Sequence, residues 1–189
     1  MYPNGQWDNT FGNNGRCVHP VTFEVPTNDL TNAQVLQDGS SVFYSILRYW
    51  GQGVGGADSS VLSCVKNTVA GIPDASFGSA GVLTFSYLSP QYPIFIFKSD
   101  NSALFAYFRR YGAQFADQKI EFMHFLPNGT KDMTFGTMGI QKLNPRSPDD
   151  YITPSQVLHG VWTKNETGVY LTCFNKPYSS PFERHGLYK

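Results

Sequence analysis

The chain has few charged side chains, which make up 15% of its 189 residues, and its 14 basic and 14 acidic residues cancel. A typical soluble domain has about 25% charged residues. Proteins that bind nucleic acid usually carry a basic excess, because phosphate contacts dominate their affinity. We therefore predict no nucleic-acid partner. A surface so poor in charge must be covered by amide, hydroxyl and glycine residues, which suit neutral hydrogen bonding and ring stacking.

Cysteine is also scarce, since the chain contains only Cys17, Cys64 and Cys173. An odd and sparse set argues against a disulfide framework, so we expect three buried or partly buried thiols. A bridge from Cys17 to either of the other two is the alternative. No apolar run approaches the roughly 20 residues that span a bilayer, and we predict no membrane insertion by this domain.

The sequence also lacks residues at the spacing of known catalytic and metal-binding motifs. No two histidines and no two cysteines stand at a metal-ligand spacing, and His124 alternates with apolar residues like a structural histidine. Gly51, Gly53 and Gly56 match a dinucleotide fingerprint literally, but the surrounding pattern lacks repeated strand–helix–strand units. We interpret this segment as a loop. The sequence predicts no enzyme, no catalytic residue, no metal and no cofactor.

What the sequence does contain is a series of alternating apolar segments typical of strands. We predict strands at 81–88, 92–98 and 119–126, a return strand at 131–140, and a hairpin of 157–164 with 168–174. An Asn-Gly turn at Asn128 and a second turn at Asn165 connect such segments. Both asparagines lie in glycosylation sequons, for which turn chemistry is the favoured interpretation. Residues 40–50 fit either a helix or a strand.

One segment, at about 102–118, has helical spacing, because Leu104, Phe108, Tyr111 and Phe115 recur on one face. We therefore predict an α+β fold, in which a twisted antiparallel β-sheet wraps or packs on this main α-helix. The length fits a single domain over residues 1–189, with residues 1–20 as an irregular N-terminal arm. We predict no internal repeat.

Aromatic rings and arginines are the candidates for ligand binding. Sugar sites place a flat ring under the apolar face of the sugar, beside neutral or arginine donors. On this chemistry, the predicted glycan-binding residues are Arg48, Tyr49, Trp50, Arg109, Tyr111, His159 and Trp162.

The segment H-P-V-T-F-E-V-P after an Asn/Gly-rich arm, the helical pattern at 102–118 and the strands after it resemble a viral protein. The chain is similar to the receptor-binding head of the rotavirus outer-capsid spike, in its divergent group B form. Residues 94–140 also resemble the strand, helix and hairpin of calicivirus protruding domains. The resemblance implies a sheet clasping one helix on the virion surface.

The function implied by the resemblance is attachment to host cell-surface glycans during entry, with the rest of the viral spike protein as a further partner. No site residue is transferred from that family. One alternative is a non-catalytic capsid projection that binds a protein receptor. Another is a hydrolase whose site is assembled from scattered residues.

Overall fold

The computed structural model describes most of the chain, and its residues fall into two units. The described residues are 3–17, 28–49, 59–87, 93–110, 118–143, 152–177 and 184–188. The first unit comprises Met1–Leu88 with Asn128–Thr130, and the second comprises Ser89–Pro127 with Lys131–Lys189. The expectation of a single domain stays a prediction.

The first unit contains a four-stranded antiparallel sheet whose strands are neighbours in chain order. The strands are β1 (Asn28–Val35), β2 (Ser41–Tyr49), β3 (Ser59–Asn67) and β4 (Val82–Tyr87). Tyr44 pairs with Cys64 and Ile46 with Leu62, and all four side chains are buried. Residues 41–49 therefore take the strand alternative, because alternate side chains of β2 enter the core.

The second unit contains two antiparallel sheets. The strands of the first sheet are β5 (Ile94–Phe97), β6 (Ala103–Arg110), β7 (Gln118–Phe125) and β8 (Gln141–Leu143), in chain order. The strands of the second are β9 (Ile152–Trp162), β10 (Val169–Pro177) and β11 (Arg184–Tyr188), with β10 central. The strand predictions at 81–88, 92–98 and 119–126 and the hairpin around Asn165 are confirmed. The predicted return strand at 131–140 is wrong, because that segment forms turns and short bridges ahead of β8.

A hydrophobic cluster joins these two sheets of the second unit. Its buried members are Ile96, Leu104, Ala106, Phe108, Ile120, Phe122 and Leu171. Gly160 on β9 permits the close approach, since a Cβ there would lie 2.3 Å from Cδ1 of Ile96. The opposite face of β6 is buried too, with the rings of Phe105 and Phe95 5.0 Å apart. A central strand covered on both faces is apolar at nearly every position.

The predicted helix at about 102–118 is wrong, and with it the α+β fold class. Residues 103–110 form β6, β7 begins at Gln118, and the described part of the chain is all-β with no helix. Leu104 and Phe108 are four residues apart, a spacing that a strand face and a helix face share. Because both faces of β6 are buried, no polar alternation marks the strand. Tyr111 and Phe115 lie outside the described residues.

One turn occurs three times, at residues 8–15, 74–81 and 132–139, with the pattern Asp-x-Ser/Thr-Phe-Gly-x-x-Gly. In each copy Oδ1 of the aspartate accepts the N–H of the Ser or Thr two residues later, at 3.0, 3.0 and 2.9 Å. The first glycine has a φ near +60° in all three, and a Cβ on Gly78 would lie 2.2 Å from the carbonyl oxygen of Val82. We call this unit the turn motif. It requires glycine for reasons of space as well as φ.

The strand order between these turns repeats as well, so the prediction of no internal repeat is wrong. The hairpin β1–β2 turns at Asp38 and the hairpin β5–β6 at Asp100, and each aspartate accepts the N–H of a serine two residues later at 2.8 Å. Asn165 takes the same place between β9 and β10. The N-terminal segment, predicted as an irregular arm, holds the first copy of the turn motif.

Candidate functional site

Most of the predicted glycan-binding side chains lie outside the described part of the structure. Trp50 and Tyr111 are not among the described residues. Arg48 and Tyr49 end β2, where their backbones pair with Ser60 and Ser59, and His159 lies on β9. The structure places these last three along strands but does not describe their side chains.

Arg109 and Trp162 are the predicted residues whose side chains are described, and they do not share one site. The indole N–H of Trp162 donates to the carbonyl oxygen of Ile96 at 3.0 Å. Ile96 pairs with Leu104 near the start of β6, whereas Arg109 stands five residues further along that strand. At about 3.3 Å per residue, the two positions on β6 are roughly 17 Å apart.

Arg109 belongs to a cluster around Glu121, a fully buried carboxylate on β7. The hydroxyl of Tyr107 donates to Oε2 of Glu121. Nη1 of Arg109 lies 3.5 Å from the same oxygen, and Nζ of Lys142 lies 3.6 Å from Oε1. Burying a carboxylate is costly unless charge and hydrogen bonds compensate it. These contacts connect β6, β7 and β8, and we interpret the cluster as a support of the sheet.

We did not predict Glu121 from the sequence, although a signal was present. It lies within the run Ile120-Glu121-Phe122-Met123, where a strand with apolar residues on both sides carries one acid. An acid in such a run is buried with a partner more often than without one. The cross-strand partner Tyr107 could not be identified, because β6 was assigned to a helix.

A histidine–aspartate pair lies near the third turn motif, where Nδ1 of His124 is 3.0 Å from Oδ2 of Asp132. Such a pair orients the base in catalytic triads. At the corresponding place in the first unit, Nζ of Lys66 is 2.9 Å from Oδ2 of Asp74. Because lysine fills the same role, we interpret both pairs as ties between the turn motif and its strand. The prediction of a structural His124 agrees with this bonding.

Hydrogen bonds lower the pKa of both aspartates. The pKa of Asp132 is lowered to about 2, first by the hydroxyl of Thr134 and then by His124. The pKa of Asp74 is lowered, first by the hydroxyl of Ser76 and with a contribution from Lys66. Both carboxylates are therefore ionised at neutral pH, as the hydrogen-bonded turn requires.

The second predicted residue, Trp162, forms a surface with polar side chains from the neighbouring hairpins. Nζ of Lys98 lies 4.6 Å from the centre of the indole ring. Ser99 donates from its backbone N–H and its hydroxyl to the two carboxylate oxygens of Glu166, at 2.9 and 3.0 Å. We call Lys98, Ser99, Trp162 and Glu166 the Trp162 patch. It combines a partly exposed ring that is held by a hydrogen bond and covered by the Lys98 ammonium with the Ser99–Glu166 contact, which begins at the residue next to Lys98.

The structure also describes two of the three cysteines and both asparagines of the glycosylation sequons. Cys17 and Cys64 are both free, and burial in β3 raises the pKa of Cys64 strongly. The side chain of Cys173 lies outside the described part. The amide oxygens of Asn128 and Asn165 accept the N–H of the threonine two residues later, at 3.0 and 3.4 Å. The structure thus agrees with turn chemistry at both sequons.

The described residues offer no candidate for a metal cluster or a membrane-spanning helix. Within the described residues, no three His, Cys, Asp or Glu side chains are grouped so as to hold a metal ion. In the same residues, no helix has the length and hydropathy of a membrane span. Comparison of the chain with protein-family models, curated proteins and solved structures gives no significant match in any of the three.

Proposed function

We propose that the chain is a non-catalytic glycan-binding domain and that the Trp162 patch contacts the sugar. The observation that supports this is the anchored indole, which the hydrogen bond to Ile96 holds in one orientation at the surface. A fixed ring loses little freedom when a ligand stacks on it, and adjacent polar groups can bond to sugar hydroxyls.

Lys98 has a defined role in this proposal. Its ammonium covers the indole, and a cation–π contact at an exposed site contributes roughly 0.5–1 kcal/mol. A stacked sugar can displace the ammonium at that modest cost. The displaced ammonium then donates to a sugar hydroxyl, so part of the lost energy is recovered.

The composition supports a neutral ligand. The chain has no net charge, and few charged residues are available for steering an ionic partner. The resemblance to the rotavirus spike head would place the ligand on the host-cell surface and the chain on the virion. The helical pattern at 102–118 carries part of that resemblance, and its described residues 103–110 form strand β6.

A glycan array followed by titration of the best glycan, read by isothermal titration calorimetry, tests the proposal. We expect Trp162→Ala to weaken binding about tenfold or more, since ring contacts contribute roughly 0.5–1.5 kcal/mol beyond the buried area. Trp7→Phe is the matched control, because Trp7 is 64% exposed and belongs to the first unit. Thermal unfolding of each variant shows whether the fold is retained. No binding to any glycan, or equal losses in the two variants, would refute the proposal.

A further inference from the structure

Each of the first two turn motifs contacts the residue pair that lies three to four residues ahead of the next aspartate of the motif. In the first contact, the N–H of Gly12 donates to the carbonyl oxygen of Ala70 at 2.7 Å. The ring of Phe11 covers Gly71 so closely that a Cβ there would lie 2.7 Å from Cζ of the ring. The Phe-Gly of the first motif thus rests on the residues that lead into the second motif.

The second contact repeats this geometry within the first unit. The N–H of Gly78 donates to the carbonyl oxygen of Asn128 at 2.7 Å, and a Cβ on Gly129 would lie 3.0 Å from Cε2 of Phe77. Gly71 and Gly129 both have positive φ, at 75° and 78°. We call the Phe-Gly of one turn motif the knob. We call the residue pair that the knob covers the seat, which is Ala70-Gly71 in the first contact and Asn128-Gly129 in the second.

In the described part of the chain, one knob and one seat do not make this contact. The remaining knob is Phe135 with Gly136, and among the described residues no acceptor is recorded for the N–H of Gly136. The remaining seat is Asn4 with Gly5, at the same distance ahead of its aspartate as the other two seats. Gly5 has a φ of 84°, and no described heavy atom lies within 4 Å of its Cβ position. It is exposed, whereas Gly71 and Gly129 are buried.

We propose that the knob of one chain binds the seat of a second copy. The ring of Phe135 covers Gly5 of the other copy, and the N–H of Gly136 donates to its Asn4 carbonyl oxygen. A second copy is the occupant because the described residues of each chain offer one knob and one seat of the shape that already pair twice within it. Such a contact is heterologous and joins copies head to tail.

The proposal does not depend on glycan binding, although several copies in a row would raise the avidity for a multivalent surface. A chain without net charge opposes the association of its copies little. One hydrogen bond and one covered ring make a small interface. We therefore expect weak, concentration-dependent association of the kind seen in transient complexes.

Sedimentation velocity of the full chain over a wide range of concentration tests the proposal. The average mass of the wild type should rise with concentration. Phe135→Ala, which removes the ring, and Gly5→Ala, which places a methyl group where the ring must lie, should each remain monomeric. Met133→Ala should associate like the wild type, because Met133 is 56% exposed in the same turn and belongs to neither surface.

Mixing the two variants separates this interface from others. Phe135→Ala keeps its seat and Gly5→Ala keeps its knob, so the mixture should form a dimer and nothing larger. Phe135 also packs on the hydrophobic cluster of the second unit. If its variant does not fold, Gly5→Ala decides the question, since no described heavy atom lies within 4 Å of the Cβ position of Gly5. A wild type that is monomeric at every concentration, or a Gly5→Ala variant that associates equally, overturns the proposal.

Discussion

The sheet of β1–β4 and the sheet of β5–β8 have the same strand order and the same turns, yet one row of side chains differs completely. The rows are Ser45, Ser63 and Thr84 in the first sheet, and Tyr107, Glu121 and Lys142 in the second. Each row crosses three neighbouring strands at corresponding register. The turn motif connects the last two strands of each row, β3 to β4 and β7 to β8, with the same hydrogen bonds and glycine conformations. A row of neutral hydroxyls can therefore be exchanged for a charged row while the fold is kept.

The two rows differ in what they contribute to stability. The hydroxyls of Ser63 and Thr84 are 3.5 Å apart at an exposed position, which is a marginal hydrogen bond. Glu121 is fully buried, accepts a hydrogen bond from the Tyr107 hydroxyl and lies near the cationic groups of Arg109 and Lys142. Breaking a buried charged network costs far more than losing a solvated contact. The comparison predicts that equivalent substitutions will have unequal effects.

The largest expected effect is that of Glu121→Ala. We expect it to lower the free energy of unfolding by roughly 2–4 kcal/mol, because it removes the acceptor of the Tyr107 hydroxyl and the counter-charge of Arg109. Ser63→Ala, the equivalent change in the first sheet, should cost less than about 1 kcal/mol. Urea unfolding followed by circular dichroism measures both. Similar losses in the two variants would contradict the difference drawn between the rows.

Substitutions in the turn motif should, in contrast, lower the free energy of unfolding by similar amounts in both units. Gly78→Ala should cost more than about 2 kcal/mol, because left-handed backbone costs roughly 1–2 kcal/mol and the Cβ also meets Val82. Gly136→Ala should cost the same, since its Cβ would lie 2.3 Å from the carbonyl oxygen of Ile140.

Gly39→Ala is the matched control for these two variants. Gly39 also has positive φ, at 82°, but its nearest neighbour is a methyl group at 3.5 Å. This variant should therefore show the backbone strain alone. If all three substitutions cost the same, the close approach within the turn motif is not the reason for its glycines.

The sequence predicted strands well where one signal dominated. The strand β7 and the turn at Asn128 are confirmed, although the return strand expected directly after that turn is wrong. β6 was assigned to a helix because burial of both faces removes the polar alternation that distinguishes a strand. Only the cross-strand pairing of Phe105 with Met123 and Phe95 reveals its state, and pairing is not local information.

The candidate site was less accessible to prediction than the fold. Trp162 is predicted for its ring, but its neighbour Lys98 follows the end of β5, far away in the chain. The repeat was missed because its recurring positions are few and the strands between them differ, as the Ser63 and Glu121 rows illustrate. An aspartate followed by Phe-Gly at residues 8, 74 and 132 was the signal that could have revealed it.

The smallest effect concerns the aspartates of the turn motif and appears only in acid. The pKa of Asp132 is lowered to about 2, below the value of about 3.9 for an unfolded chain. The ionised form therefore favours the folded state above the unfolded pKa, and this contribution is lost as the pH falls from about 4 to 2. Asp132→Asn keeps the side-chain oxygen that accepts from Thr134 and removes the charge.

Urea unfolding of the wild type and Asp132→Asn at a series of pH values measures that contribution. The stability difference should be largest near neutral pH and should shrink as the solution is acidified. Asp74→Asn should show the same direction, because the pKa of Asp74 is lowered by the equivalent hydroxyl of Ser76. A difference that stays constant down to pH about 2 in both variants would mean that the charge of the aspartate has no part in holding the turn. A difference confined to Asp132 would instead separate the two units, and would assign the effect to His124 and not to the turn that they share.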